Sequence, residues 1–81
     1  MTREELVNEL TPVVQKLFQN PELVIVDDMS ADNVSTWTSL SFMQLLSVIE
    51  EKYGFRFKMM ELLKLKNMGA VLEATLAHIN A

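Results

Sequence analysis

The chain has no cysteine. That absence excludes a disulfide framework, a thiolate nucleophile and a cysteine-ligated metal. It also lacks a long apolar run: nothing approaches the ~20 residues that cross a bilayer, so membrane insertion is not expected. Basic residues are scarce, with 7 Lys and Arg against 11 Asp and Glu and a net charge of -4. A protein that grips a phosphate backbone needs clustered Lys and Arg, so nucleic acid is not an expected partner. The acidic balance instead favours basic partners, because complementary charge steers encounter. The start, Met1-Thr2-Arg3-Glu4-Glu5, has neither the basic flank nor the apolar stretch of a secretory signal. A cytoplasmic protein is the expectation.

The 81 residues, 49% of them hydrophobic, predict one small domain spanning 1–81 with a modest core. Its first segment reads as a helix. Thr2 and Glu5 have the spacing of a capping box, in which each side chain satisfies a free backbone N–H. Leu6, Leu10, Val13, Val14, Leu17 and Phe18 then recur at helical period. Pro12 interrupts them and removes one backbone hydrogen bond, at a cost of about 3 kcal/mol. The apolar stripe keeps its phase across Pro12, which predicts one bent helix. The competing arrangement makes Thr11 a new N-cap with Pro12 at the first helical position.

Asn20-Pro21 ends that helix, and a long connection runs to Thr38. Leu23 to Val26 is strand-like but has no clear partner strand, which predicts an extended loop with apolar anchors. A loop of this length must be functional or well anchored. The next helix is marked by Phe42, Leu45, Leu46, Ile49 and Tyr53, with Gly54 as its left-handed stop and Lys52 in the last turn. Phe55 and Phe57 are expected as buried anchors. Met59 to Leu65 predicts one or two helical turns. Asn67 can cap a final helix with Met68, Val71, Leu72, Leu76 and Ile79 inward. The sum is an all-α bundle.

Few residues offer chemistry. Asp28, Ser30 and Asp32 are spaced like the first calcium-loop ligands, but the sixth position is Asn33 rather than Gly and the twelfth is Ser39 rather than Glu. Asp27, Asp28 and Asp32 therefore read as solvation and turn residues. The lone histidine, His78, lacks an obvious orienting acid and an oxyanion pocket, so a hydrolytic Ser39–His78 site is not expected. Met29, Met43, Met59, Met60 and Met68 read as core filler, soft enough to admit a flexible guest. Ser39 remains. With Thr38 as the helix cap, Ser39 falls at the first helical position with its hydroxyl outward. An anionic group attached there gains about 0.3–1 kcal/mol from the positive end of the helix macrodipole.

On these residues the chain resembles the acyl carrier proteins, the phosphopantetheine-carrying family, in its discrete bacterial type. The resemblance runs over nearly the whole length. Asp32-Asn33-Val34 stands for the acidic loop, Thr38-Ser39-Leu40 for the family's Asp-Ser-Leu, and Glu50-Glu51-Lys52-Tyr53-Gly54-Phe55 for the acidic end of the second helix. Trp37, the run Leu40-Ser41-Phe42-Met43-Gln44-Leu45 and the run Leu65-Lys66-Asn67-Met68-Gly69 add to it. The resemblance implies a four-helix bundle with a short third helix and a long loop between the first two.

It also implies that a phosphopantetheinyl transferase esterifies Ser39 with 4'-phosphopantetheine from coenzyme A, with Thr38 beside it. The arm's thiol would hold acyl, aminoacyl or polyketide intermediates, and acyl-transferring or acyl-modifying enzymes would do the chemistry. Such a protein is a carrier and not an enzyme, and a monomer is expected. Partners would read Leu40, Met43, Gln44, Ser47, Val48 and Glu51. Two departures stand out. Thr38 replaces the usual Asp, and Gln44 and Ser47 leave the recognition helix poor in acid. The alternative is a carrier-fold adaptor that is never modified.

Overall fold

Helix α1 begins where the capping box places it. Glu5 N–H donates to Thr2 Oγ1 at 3.2 Å and Thr2 N–H donates to Glu5 Oε1 at 2.8 Å. The computed structural model describes residues 1–81 as α1 (Arg3–Leu17), α2 (Ser39–Tyr53), α3 (Met59–Leu62) and α4 (Met68–Ile79), with no strand. The expected four-helix arrangement with a short third helix is therefore present.

Pro12 lies inside α1, which continues through it as one helix. Pro12 and Asn8, whose carbonyl loses its helical donor, are both exposed, which leaves that carbonyl on the solvent side of the helix. Thr11 is not a new cap; its hydroxyl donates back to the Val7 carbonyl at 2.7 Å. Helix α1 closes in a Schellman motif. Asn20 N–H reaches the Gln15 carbonyl at 2.9 Å and Gln19 N–H the Lys16 carbonyl at 3.3 Å. The motif needs a left-handed residue, and Gln19 supplies it at φ 55°.

The connection from α1 to α2 is extended and anchored, as its pattern predicts. Leu23 and Ile25 are buried while Val24 and Val26 between and after them are exposed, the period-two alternation of an extended chain. Gln15 Nε2 donates to the Leu23 carbonyl at 3.0 Å. The start of α4 grips the other end: Met68 N–H donates to the Met29 carbonyl and Gly69 N–H to the Asp27 carbonyl, both at 2.9 Å. Free N–H groups of a helix start thereby satisfy loop carbonyls. A Cβ on Gly69 would lie 3.1 Å from Asp27 Cβ, so a side chain there would push Asp27 back by a few tenths of an ångström. Asp27 also pairs with Arg3. Within the loop, Ser30 N–H donates to Asn33 Oδ1 and Asn33 Nδ2 to the Asp28 carbonyl, which is turn chemistry and not a cation loop.

Helix α1 packs on both α2 and α4. Leu6, Leu10, Val14, Phe18, Leu45, Ile49, Met68, Val71 and Leu72 are the fully enclosed centre. Trp37 joins them from the loop, with its ring 5.4 Å from Phe18 and stacked 5.3 Å from Phe42. Tyr53 ties α2 to α1 by donating to Glu9 Oε1 at 2.7 Å. Burial and that carboxylate hold its phenol protonated well above the ordinary range.

Three expectations change. Met29 and Met68 are buried, but Met43, Met59 and Met60 are exposed. Met59 and Met60 lie on α3, which is only 4 residues long and buries none of them, and Met43 lies on α2 away from its buried residues Leu45, Leu46 and Ile49. Of the paired aromatics Phe57 is buried and Phe55 only half-buried. Phe55 instead stacks on His78, centroids 4.3 Å apart. His78 does have an acid: its Nε2 lies 2.8 Å from both Glu61 carboxylate oxygens.

Candidate functional site

The candidate site is the start of α2. Thr38 is its N-cap, with extended φ and ψ, and Ser41 N–H donates to Thr38 Oγ1 at 3.1 Å. The reverse bond comes from Thr38 N–H to Ser41 Oγ at 2.8 Å. Ser41 thus occupies the place that Glu or Gln takes in the usual capping box. Its hydroxyl also donates to the Thr36 carbonyl at 2.7 Å, and the residue is buried. Sequence reasoning missed Ser41 because Ser is a short, weak signal three residues after a cap.

Ser39 is the first helical residue and is exposed. Its hydroxyl makes no hydrogen bond within the chain. The N–H groups of Ser39 and Leu40 likewise have no acceptor in the chain, since Thr38 takes the N–H of Ser41 and Phe42. The first turn carries no acidic side chain. Free donors, the positive helix end and an unencumbered hydroxyl together suit a phosphate ester. Trp37, packed between Phe18 and Phe42, fixes the loop directly before this turn.

Leu40, Met43, Gln44, Ser47, Val48 and Glu51 recur at three- and four-residue steps, so they share one stripe of α2. The buried positions Leu45, Leu46 and Ile49 point elsewhere. Leu40 is 69% and Met43 61% exposed. Gln44, Ser47 and Glu51 are exposed too, while Val48 is half-buried at the margin. Glu51 is the stripe's one charge. His78 is not brought to Ser39: it is held by Glu61 and stacked on Phe55, and no hydrogen bond links it to the serine.

A family profile described as the phosphopantetheine attachment site matches residues 9–75. The chain belongs to this family. It is also similar to the solution NMR structure of a holo acyl carrier protein from Geobacter metallireducens, with 33% identity and a TM-score of 0.75. That alignment covers 89% of this chain and 86% of the other. No curated protein matches. The fold is therefore that of the acyl carrier proteins, and the cofactor is a covalently attached 4'-phosphopantetheine. Carriers of this family interact with transferases and with acyl-handling enzymes. No helix of this chain is long and apolar enough to cross a membrane.

Proposed function

We propose that residues 1–81 form one discrete carrier domain in which Ser39 is the esterified residue. One observation carries this reading: the Ser39 hydroxyl is exposed, unpartnered and set at the first position of α2, inside the matched segment. The arm's thiol supplies the nucleophile that a cysteine-free chain lacks, and it carries acyl, aminoacyl or polyketide groups as thioesters for fatty acid, polyketide or related chemistry. The chain's own residues would hold the ester: Thr38 and Ser41 fix the helix start, and the N–H groups of Ser39 and Leu40, without acceptors in the chain, would be free to bind the phosphate.

The protein performs no catalysis of its own and acts as a cytoplasmic monomer. Its partners are a phosphopantetheinyl transferase and enzymes that load or modify the acyl group. They read the stripe from Leu40 to Glu51. With Glu51 its one charge, that stripe selects partners by apolar fit at Leu40 and Met43 more than by charge steering.

The test is a mass measurement. Incubated with coenzyme A and a broad-specificity phosphopantetheinyl transferase, the protein gains the mass of one arm, and Ser39→Ala does not. An unchanged mass beside a loaded control carrier would leave an unmodified adaptor as the function.

A further inference from the structure

Positive charge is gathered in one stretch of the chain. Residues 52–66 hold five of the 7 Lys and Arg (Lys52, Arg56, Lys58, Lys64 and Lys66) and one of the 11 Asp and Glu, Glu61. Elsewhere 2 basic residues stand against 10 acidic ones. The net acidity of the chain therefore hides a cationic pole. All five cations are exposed. None forms an ion pair, since the two pairs in the protein are Arg3–Asp27 and His78–Glu61. A single-sign stretch without internal partners sets up a field that favours an anion.

Exposed apolar side chains lie in the same stretch. Helix α3 and the turn after it read Lys58-Met59-Met60-Glu61-Leu62-Leu63-Lys64-Leu65-Lys66. Glu61 is turned to His78 on α4, and Leu65 is buried. At about 100° per residue, Met59 and Leu63 fall opposite those two, with Met60 next to them. The three are 74%, 65% and 68% exposed. Lys58 and Lys64 flank them, and Lys66 follows. Glu61 and Glu73 line the groove between α3 and α4, which includes none of the three.

We propose that this 58–66 ridge docks the protein on an anionic lipid surface. Met59, Met60 and Leu63 enter the headgroup boundary, and Lys58, Lys64 and Lys66 keep their charges among the lipid phosphates. Each Lys near such a surface strengthens binding roughly fivefold. The acidic remainder of the chain is repelled by the same surface, so one orientation is favoured. An acidic protein would also meet the cations. It would have to seat the apolar residues in a socket of fixed shape, however, and these are flexible side chains that protrude from a single helical turn. A fluid layer takes them without a fixed register. The ridge is built from residues other than Ser39, so the unmodified protein suffices for the test.

The test is co-flotation with large unilamellar vesicles. One set holds equal parts of phosphatidylglycerol and phosphatidylcholine, and the other phosphatidylcholine alone. The protein should float with the anionic set only. Binding should fall as salt shortens the screening length from ~10 Å at about 0.1 M to ~3 Å at about 1 M. Lys64→Glu and Lys16→Glu give proteins of equal net charge, with the change inside and outside the ridge. The first should weaken binding by more than roughly fivefold and the second by less than about twofold. Replacing Met59, Met60 and Leu63 together by Ser should release the protein with every cation in place. These positions are exposed, and circular dichroism checks that each variant keeps its helices. Absence of flotation, equal flotation with neutral vesicles, equal losses for the two Lys variants, or full binding by the Ser variant would each overturn the proposal. Capture by immobilised polyglutamate in place of anionic vesicles would also overturn it and assign the ridge to an acidic protein.

Discussion

The Ser41 hydroxyl accepts the N–H of Thr38 at 2.8 Å while the Thr38 hydroxyl accepts the N–H of Ser41 at 3.1 Å. This reciprocal pair closes the start of α2 around Ser39. Ser41→Ala removes one half of it, and the bond to the Thr36 carbonyl as well. The expected loss of stability is about 1–2 kcal/mol, read by denaturant unfolding. Loading of Ser39 should slow as the turn frays. An unchanged midpoint would show that Thr38 alone caps the helix.

Thr38→Asp restores the residue that the family usually places before the serine. Asp caps as well as Thr, so stability should shift by less than about 0.5 kcal/mol. Loading by a phosphopantetheinyl transferase should accelerate, because the transferase regains a negative contact. Initial rates measured by mass spectrometry decide the matter. Equal rates for the two proteins would show that the missing charge is irrelevant.

Gln19 sits at φ 55°, a region that burdens an L-residue by about 1–2 kcal/mol and glycine hardly at all. Gln19→Gly should therefore stabilise the fold, by about 0.5–1 kcal/mol once the greater freedom of the unfolded glycine is set against the relief. Thermal unfolding followed by circular dichroism should show a midpoint several degrees higher. A lower midpoint would mean that the Gln19 side chain contributes more than its backbone strain removes.

Glu61 fastens α3. Its carboxylate takes the N–H of Lys58 at 2.8 Å and faces His78 Nε2 at 2.8 Å. The Lys58 N–H first, and His78 second, hold its pKa below the ordinary 4.5. A carboxyl with a depressed folded pKa stabilises the fold fully above its unfolded pKa and loses that contribution as pH falls through the folded one. Glu61→Gln should therefore melt lower than the parent at neutral pH, and the gap should close as pH drops below about 4.5. Paired melting curves across the acid range check this. A gap that stays constant with pH would rule out the ionised carboxylate as its cause.

The local parts of the fold were legible in the chain itself. The caps at Thr2, Thr38, Asn67 and Gly54 each complete their bonds within three or four residues, so spacing alone specifies them. The inner faces of α1, α2 and α4 follow from helical period for the same reason. The outward Ser39 follows from the cap before it. Met59 and Met60 were not legible as surface residues, because hydropathy does not register that a helix of one turn has too little face to bury.

What only the tertiary structure decided is which distant groups meet. Trp37 on Phe18, the Met29 and Asp27 carbonyls on the N–H groups of α4, and Glu61 against His78 all join residues far apart in sequence. No periodicity encodes such pairs, since they depend on how whole faces are brought together by packing.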